Sequence, residues 1–101
     1  MQLERLCHGQ PCYLRFPGVC SGDPAKVVPC HLRRGGVAGV GQKPPPIACL
    51  PGCFECHAVL DGRAKSEYGR DELDAMALRG YVQWLCWLWS REYIIPGEIA
   101  A

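Results

Sequence analysis

The spacing of the cysteines constrains this chain more than any other feature. Cys53 and Cys56 are separated by two residues and followed at once by His57, and Cys12 and Cys20 form a second, wider pair upstream. Structural Zn²⁺ is bound by four sulfur or nitrogen ligands in a tetrahedron, and two separate cysteine pairs can supply such a set. The spacing therefore predicts a structural Zn²⁺ held by these four cysteines.

Three other cysteine chemistries compete with zinc. The motif Cys-x-x-Cys-His also attaches c-type haem, and eight cysteines fit a disulfide framework. Both need a compartment outside the cytoplasm, and residues 1–6 lack the apolar stretch of a signal peptide. A thioredoxin-like redox pair needs a βαβ pattern, which the residues around Cys53 do not show. Zinc is the favoured interpretation, and the cytoplasm is the expected location.

Length and charge limit the remaining possibilities. A chain of 101 residues predicts one domain, 1–101, whose small core gains stability from a bound metal. It has no apolar run of transmembrane length, so we expect no membrane association. Residues 1–50 carry six Lys or Arg against two Asp or Glu, whereas residues 51–101 carry five against eight. The basic half suits a phosphate backbone, although on charge alone an ordinary solvated surface is favoured.

The pattern of turns and apolar residues predicts an α+β fold. We expect a short helix in residues 1–10 and a β-hairpin in residues 11–32, with strands at 13–16 and 26–32. Residues 33–52 are rich in Gly and Pro, which predicts a loop without helix or strand. A helix is expected from near Cys53 to about Leu60, ended by Asp61 and Gly62.

A long C-terminal helix is the clearest periodic element, predicted over residues 67–95 and ended by Pro96 and Gly97. We interpret its apolar stripe as core or as the face of a homodimer. The stripe consists of Leu73, Met76, Ala77, Gly80, Tyr81, Trp84, Leu85 and Leu88.

Two strands followed by a helix, joined by zinc, form the outline of a ββα-metal nuclease domain, here residues 1–63. Such a site needs a general base and a divalent cation. His31 on the second predicted strand can serve as the base. His57 and Asp61, four residues apart on one helical face, can chelate Mg²⁺ or Mn²⁺. The alternatives are a structural histidine for His31 and a zinc ligand for His57.

Four segments of the chain resemble the YbcO-like nuclease family of phages and prophages, a branch of the HNH superfamily. The matching segments are Cys12 to Cys20 with Pro17-Gly18-Val19, Val28 to Arg33, Gly39 to Pro45, and Ile47 to Arg63 with Cys53, Cys56, His57 and Asp61. The resemblance implies a zinc-stabilised ββα-metal fold and a metal-dependent DNA endonuclease. It also implies His31 as the general base and His57 as a metal-binding histidine.

Two positions depart from the family pattern. Pro46 stands where the family typically has Asp, and Cys30 precedes the base where many HNH enzymes place a metal-binding Asp. The second functional hypothesis is therefore a non-catalytic zinc module that binds nucleic acid or protein through a decayed nuclease site. In either case DNA phosphates are expected to contact the basic residues of the loop after His31, namely Arg33, Arg34 and Lys43.

Overall fold

The fold is α+β, with one two-stranded antiparallel sheet and a long C-terminal helix. The computed structural model describes residues 3–32 and 44–94. The elements are α1 (Leu3–Leu6), β1 (Val27–His31), β2 (Cys49–Cys53), α2 (Phe54–Leu60) and α3 (Arg70–Ser90). In the sheet His31 lies opposite Cys49 and Val27 lies opposite Cys53. Because α2 follows β2 directly, the order strand, strand, helix predicted from the sequence is present, although the strands are not the predicted pair.

Each strand contains a proline, and the two prolines lie directly opposite each other, Pro29 against Pro51. Proline has no N–H to donate to a β ladder. On the outer side of β2, the carbonyl of Pro51 accepts a hydrogen bond from Tyr13 N–H at 2.8 Å. Its carbonyl therefore points away from β1, as it does in the non-hydrogen-bonded pairs of an antiparallel ladder. At such a pair the missing N–H groups remove no bond between the strands.

Residues 13–16 do not form the predicted strand, so the predicted hairpin of residues 11–32 is wrong. The segment curls around Cys12 instead of extending. Arg15 has a φ of 49°, and its N–H points at Cys12 Sγ from 3.4 Å. Leu14 and Phe16 are fully buried. Their apolar pattern therefore marks contacts with the core and not a β ladder.

The partner of β1 is β2, which lies inside the segment predicted to be a loop, so that prediction is wrong for residues 49–53. All five residues of β2 are buried, and a strand buried on both faces lacks the polar alternation that marks a strand in a sequence. Gly52 is required there. A Cβ at this position would lie 2.6 Å from Cys30 Sγ and 2.7 Å from Leu14 Cδ1.

Helix α2 begins and ends where the sequence predicted. Cys53 is its N-cap residue, and the Cys53 Sγ accepts the N–H of Cys56. At the other end the N–H of Asp61 bonds to His57 O at 3.0 Å. Gly62 follows with a φ of 79°, a left-handed conformation that glycine adopts without steric cost.

Helix α3 buries the predicted apolar stripe, so the interpretation of that stripe as core is confirmed. The buried positions are Leu73, Ala77, Gly80, Trp84 and Leu88. The ring of Trp84 packs edge-on against Tyr13 at a centroid distance of 5.4 Å. Across the described residues, no helix is both long and apolar enough to span a membrane.

Helix α3 ends at Ser90, earlier than the predicted stop at Pro96. The N–H of Glu92 bonds to Trp89 O and the N–H of Tyr93 bonds to Leu88 O. Glu92 has a φ of 62°. These are the bonds of a Schellman motif, with glutamate in the left-handed position that glycine usually takes. The missing glycine explains why the sequence did not reveal this end.

Candidate metal centre and catalytic site

Four cysteine thiols lie close together where the segment before β1 contacts the start of α2. Cys12 and Cys20 lie in the irregular segment before β1, Cys53 ends β2, and Cys56 lies in the first turn of α2. Their Sγ atoms all lie within 4.8 Å of one another, and those of Cys20 and Cys53 are 4.0 Å apart. A tetrahedral zinc with Zn–S bonds of about 2.3 Å places its sulfurs about 3.8 Å apart. A small contraction of this cluster therefore gives a four-thiolate metal site.

Backbone N–H groups already point at two of these sulfurs. Cys12 Sγ accepts from the N–H of Arg15 at 3.4 Å and from that of Cys53 at 3.3 Å. Cys53 Sγ accepts from the N–H of Cys56 at 3.5 Å. Hydrogen bonds of this kind orient metal ligands and stabilise negative charge on them. The cluster is therefore arranged for thiolates before any metal binds.

The protonation of the cluster follows from the same contacts. A hydrogen bond from the Cys56 thiol, assisted by the N–H groups of Arg15 and Cys53, lowers the pKa of Cys12 to about 4. Burial raises the pKa of Cys20 to about 11. Donation to Cys12, together with burial, raises the pKa of Cys56. Cys12 therefore loses its proton more readily than Cys20 or Cys56, and a metal must displace the protons of those two thiols.

The remaining cysteines lie outside this cluster. Cys7 and Cys49 are buried with their sulfurs 4.0 Å apart, so Cys49 pairs with Cys7 and is not a fifth ligand of the four-cysteine group. Cys30 is fully buried, and its thiol points at the carbonyls of Val28 and Gly52. Burial raises the pKa of Cys30, which keeps it a neutral core thiol.

His31, the predicted general base, is the last residue of β1. Its side chain is 24 % exposed, and its Nε2 contacts the Oε2 of Glu4 on α1. The sequence did not indicate Glu4, because a single carboxylate in a four-residue helix carries no recognisable motif. Pro46, where the resemblance leads us to expect Asp, lies in the exposed turn before β2. Its ring has no atom that can bind a metal.

His57 and Asp61, the predicted cation ligands, face each other across one turn of α2. His57 Nε2 lies 3.0 Å from Asp61 Oδ2, and Arg63 approaches the same carboxylate oxygen at 3.4 Å. Burial lowers the pKa of His57, aided by the charges of Arg63 and His31 and opposed by Asp61. A neutral imidazole keeps a lone pair that can bind a metal.

Among the described residues, the four cysteines are the group that could hold a metal ion. Within 3–32 and 44–94, no other group of three or more His, Cys, Asp or Glu has ligand atoms that close together. Because His57 Nε2 and Asp61 Oδ2 are in contact, a cation bound by both residues would have to separate them. Arg33, Arg34 and Lys43, the predicted phosphate contacts, lie outside the described residues.

Comparison with known proteins places the chain in a family. A family profile described as "Putative nuclease YbcO" matches residues 1–88. The chain belongs to the YbcO family. Two relatives with that name, from Escherichia coli strain K12 and from Enterobacteria phage 82, are each 37 % identical over 87 residues, covering 82 % of this chain and 90 % of the relative. The resemblance noted from the sequence is thereby confirmed at the level of the family.

A solved structure also matches the YbcO fold seen here. It is described as "Structure of a putative bacteriophage protein from Escherichia coli str. K-12 substr. MG1655", with a TM-score of 0.73 and 26 % identity. The match covers 88 % of this chain and 98 % of the other. The family name gives nuclease activity as the starting point for a functional proposal.

Proposed function

We propose that this YbcO-family chain is a metal-dependent endonuclease that hydrolyses DNA phosphodiester bonds. One observation carries the proposal. A strand, strand, helix unit has His31 at the end of its first strand, His57 on its helix and Asp61 at the end of that helix. A cysteine cluster brings the start of the helix next to residues 12–20. A ββα-metal site of the HNH type would need a base and cation ligands on adjacent elements, and this arrangement supports that proposal.

Zinc is the metal that we propose for the cysteine cluster. Four sulfur ligands in a tetrahedron favour Zn²⁺ over Mg²⁺ or Mn²⁺, which prefer oxygen. The cluster joins three parts of the chain: the segment of Cys12 and Cys20, the end of β2, and the first turn of α2. Holding them together fixes His57, which follows Cys56 directly, relative to the sheet that ends in His31.

His31 is the proposed general base. His31 lies at the end of β1, and its side chain is partly exposed. It is close enough to His57 that a positive charge on His31 lowers the pKa of His57. A neutral imidazole can take a proton from the water that attacks the phosphorus. A positioned base of this kind contributes typically about 10²–10⁴-fold in rate.

His57 and Asp61 are the proposed ligands of the catalytic cation, Mg²⁺ or Mn²⁺. When bound, the cation stabilises charge on the phosphate and on the leaving oxygen. In its absence the carboxylate of Asp61 is held by His57 and Arg63. These contacts hold the Asp61 carboxylate on the same side of α2 as the His57 ring.

DNA is the proposed partner, bound through Arg33, Arg34 and Lys43. These residues lie along the chain between the strand with His31 and the strand that leads into α2. Free thiols at the metal site persist in a reducing compartment, which agrees with a cytoplasmic site of action. The proposed homodimer would use the part of α3 that stays exposed, including Leu78, Val82 and Trp89.

Cleavage of supercoiled plasmid by His31→Ala tests the proposal. We expect the wild type to nick plasmid with Mg²⁺ or Mn²⁺ and the variant to lose about 10²–10⁴-fold in rate. His8→Ala removes a histidine that is exposed and outside the site, so it should cleave like the wild type. Zinc content and circular dichroism should match in all three proteins. Equal cleavage by His31→Ala and His8→Ala would refute the role of His31.

A non-catalytic zinc module remains the second candidate, and two observations favour it. Pro46 offers no ligand, and His57 and Asp61 are occupied with each other. This reading predicts a protein that binds DNA or a protein partner yet cuts nothing with Mg²⁺, Mn²⁺, Ni²⁺ or Zn²⁺. Its zinc content would equal that of an active nuclease, so cleavage alone separates the two.

A further inference from the structure

Within the described residues, Glu4 provides the one carboxylate that contacts His31. The Glu4 Oε2 contacts His31 Nε2, and the two side chains are 22 % and 24 % exposed. The contact joins residues 27 positions apart in the chain. It is therefore a product of the fold and not of local sequence.

Helix α1 is anchored in a way that holds Glu4 at this place. Leu3 and Leu6 pack against the core, and Cys7, which follows the helix, is fully buried. The Cys7 sulfur lies 4.0 Å from that of Cys49, and Cys49 is the residue opposite His31 in the sheet. The Cys7 N–H also bonds to Glu4 O at 3.2 Å. The backbone that carries Glu4 is thus tied to the strand beside His31.

We propose that Glu4 is a positioning residue for His31, holding its imidazole so that Nδ1 is free to accept a proton. The inference rests on the proposed nuclease function. Nε2 must donate to the carboxylate, because an ionised carboxylate only accepts hydrogen bonds. The lone pair of the neutral ring then lies on Nδ1. The same carboxylate stabilises the imidazolium that forms when the water proton is taken, as the carboxylate does in Ser-His-Asp hydrolases.

Other titratable groups also lie near His31, and the variants that test the proposal must leave those groups unchanged. His57 approaches from α2, and Cys49 lies opposite on β2, with the sulfur of Cys7 packed against its own. A hydrogen bond to Cys49, together with burial, raises the pKa of Cys7, which keeps this thiol neutral. Among these groups Glu4 is the only carboxylate in contact with the His31 ring within the described residues.

Glu4→Gln tests the proposal because it keeps the shape of the side chain and removes its charge. We expect kcat for DNA cleavage to fall about 10–100-fold, the usual cost of losing a residue that orients a histidine, while KM and zinc content stay at wild-type values. Glu4→Ala serves as a second variant, because alanine is the best helix former and should leave α1 intact. We expect the same fall in kcat with unchanged KM and zinc content.

A double-mutant cycle separates positioning from a general structural role. In the His31→Ala background, Glu4→Gln should leave the residual rate unchanged, because the group it positions is gone. A further loss of rate there, or a wild-type kcat in the single variant, would overturn the proposal while the nuclease function stands. If the wild type cuts no DNA with any cation, the nuclease function fails and the role of Glu4 fails with it.

Discussion

Helix α3 packs so closely on the segment after Cys12 that one added methyl group should disturb the fold. A Cβ built on Gly80 would lie 2.1 Å from the carbonyl oxygen of Tyr13, 2.9 Å from its carbonyl carbon and 3.2 Å from Leu50 Cδ1. Tyr13 cannot simply move away, because its N–H is bonded to Pro51 of β2 at 2.8 Å. Gly80→Ala must therefore push α3 off the sheet or break that bond.

Two opposing effects set the size of the change. An ordinary carbon–oxygen contact is about 3.3 Å or longer, so the two groups must separate by more than about 1 Å. Overpacking of this kind costs about 1–3 kcal/mol, and a contact this short places Gly80 at the upper end. Alanine in a helix interior is favoured over glycine by about 1 kcal/mol. We therefore expect Gly80→Ala to lower the free energy of unfolding by about 2 kcal/mol.

Urea denaturation of the zinc-loaded protein measures this value, and Ala75→Gly is the matched control. Ala75 is exposed on the same helix, so its replacement reports the helix preference alone and should cost about 1 kcal/mol. For a domain of this size, a loss of about 2 kcal/mol lowers Tm by roughly 8–16 °C. A Gly80→Ala protein as stable as the wild type, or more stable, would refute the close approach of α3 to Tyr13.

Two further predictions concern the metal and the DNA. Cys53→Ser should lose zinc and fold poorly, since structural zinc in finger peptides contributes about 10–16 kcal/mol, whereas Cys86→Ser, at an exposed cysteine, should keep its zinc. A zinc-free wild type that melts cooperatively under reducing conditions would contradict the site. The Arg33→Ala, Arg34→Ala double variant should flatten the salt dependence of DNA binding by about one unit of slope per lost phosphate contact. Arg79→Ala, on α3, should not, and an unchanged slope in the double variant would exclude those two residues.

The sequence predicted the elements that local chemistry determines. The spacing of Cys12, Cys20, Cys53 and Cys56 indicated a metal-binding cluster, and the four sulfurs do converge. The start and end of α2 were also correct, because Asp61 and Gly62 are local stop signals. The apolar stripe of α3 followed from its period, which depends only on which residues face the core.

The errors have a common physical cause, which is that tertiary contacts decided the conformation. Residues 13–16 look like a strand, yet the N–H···S bond to Cys12 curls them. The strand β2 contains Pro51 and Gly52, which usually interrupt strands, and it forms because Pro51 faces another proline and Gly52 fits under Cys30. Glu4 could not be predicted as a partner of His31, because the contact depends on how α1 packs.

We propose that this YbcO-family chain cuts DNA with a cation held by His57 and Asp61. Single-turnover cleavage of a labelled duplex by zinc-loaded protein, measured against Mn²⁺ concentration, tests it most directly. We predict a rate that rises to saturation with Mn²⁺ in the wild type and a much weaker response in His57→Ala at equal zinc content. Absence of product at every Mn²⁺ concentration, or a His57→Ala response equal to that of the wild type, would contradict the claim.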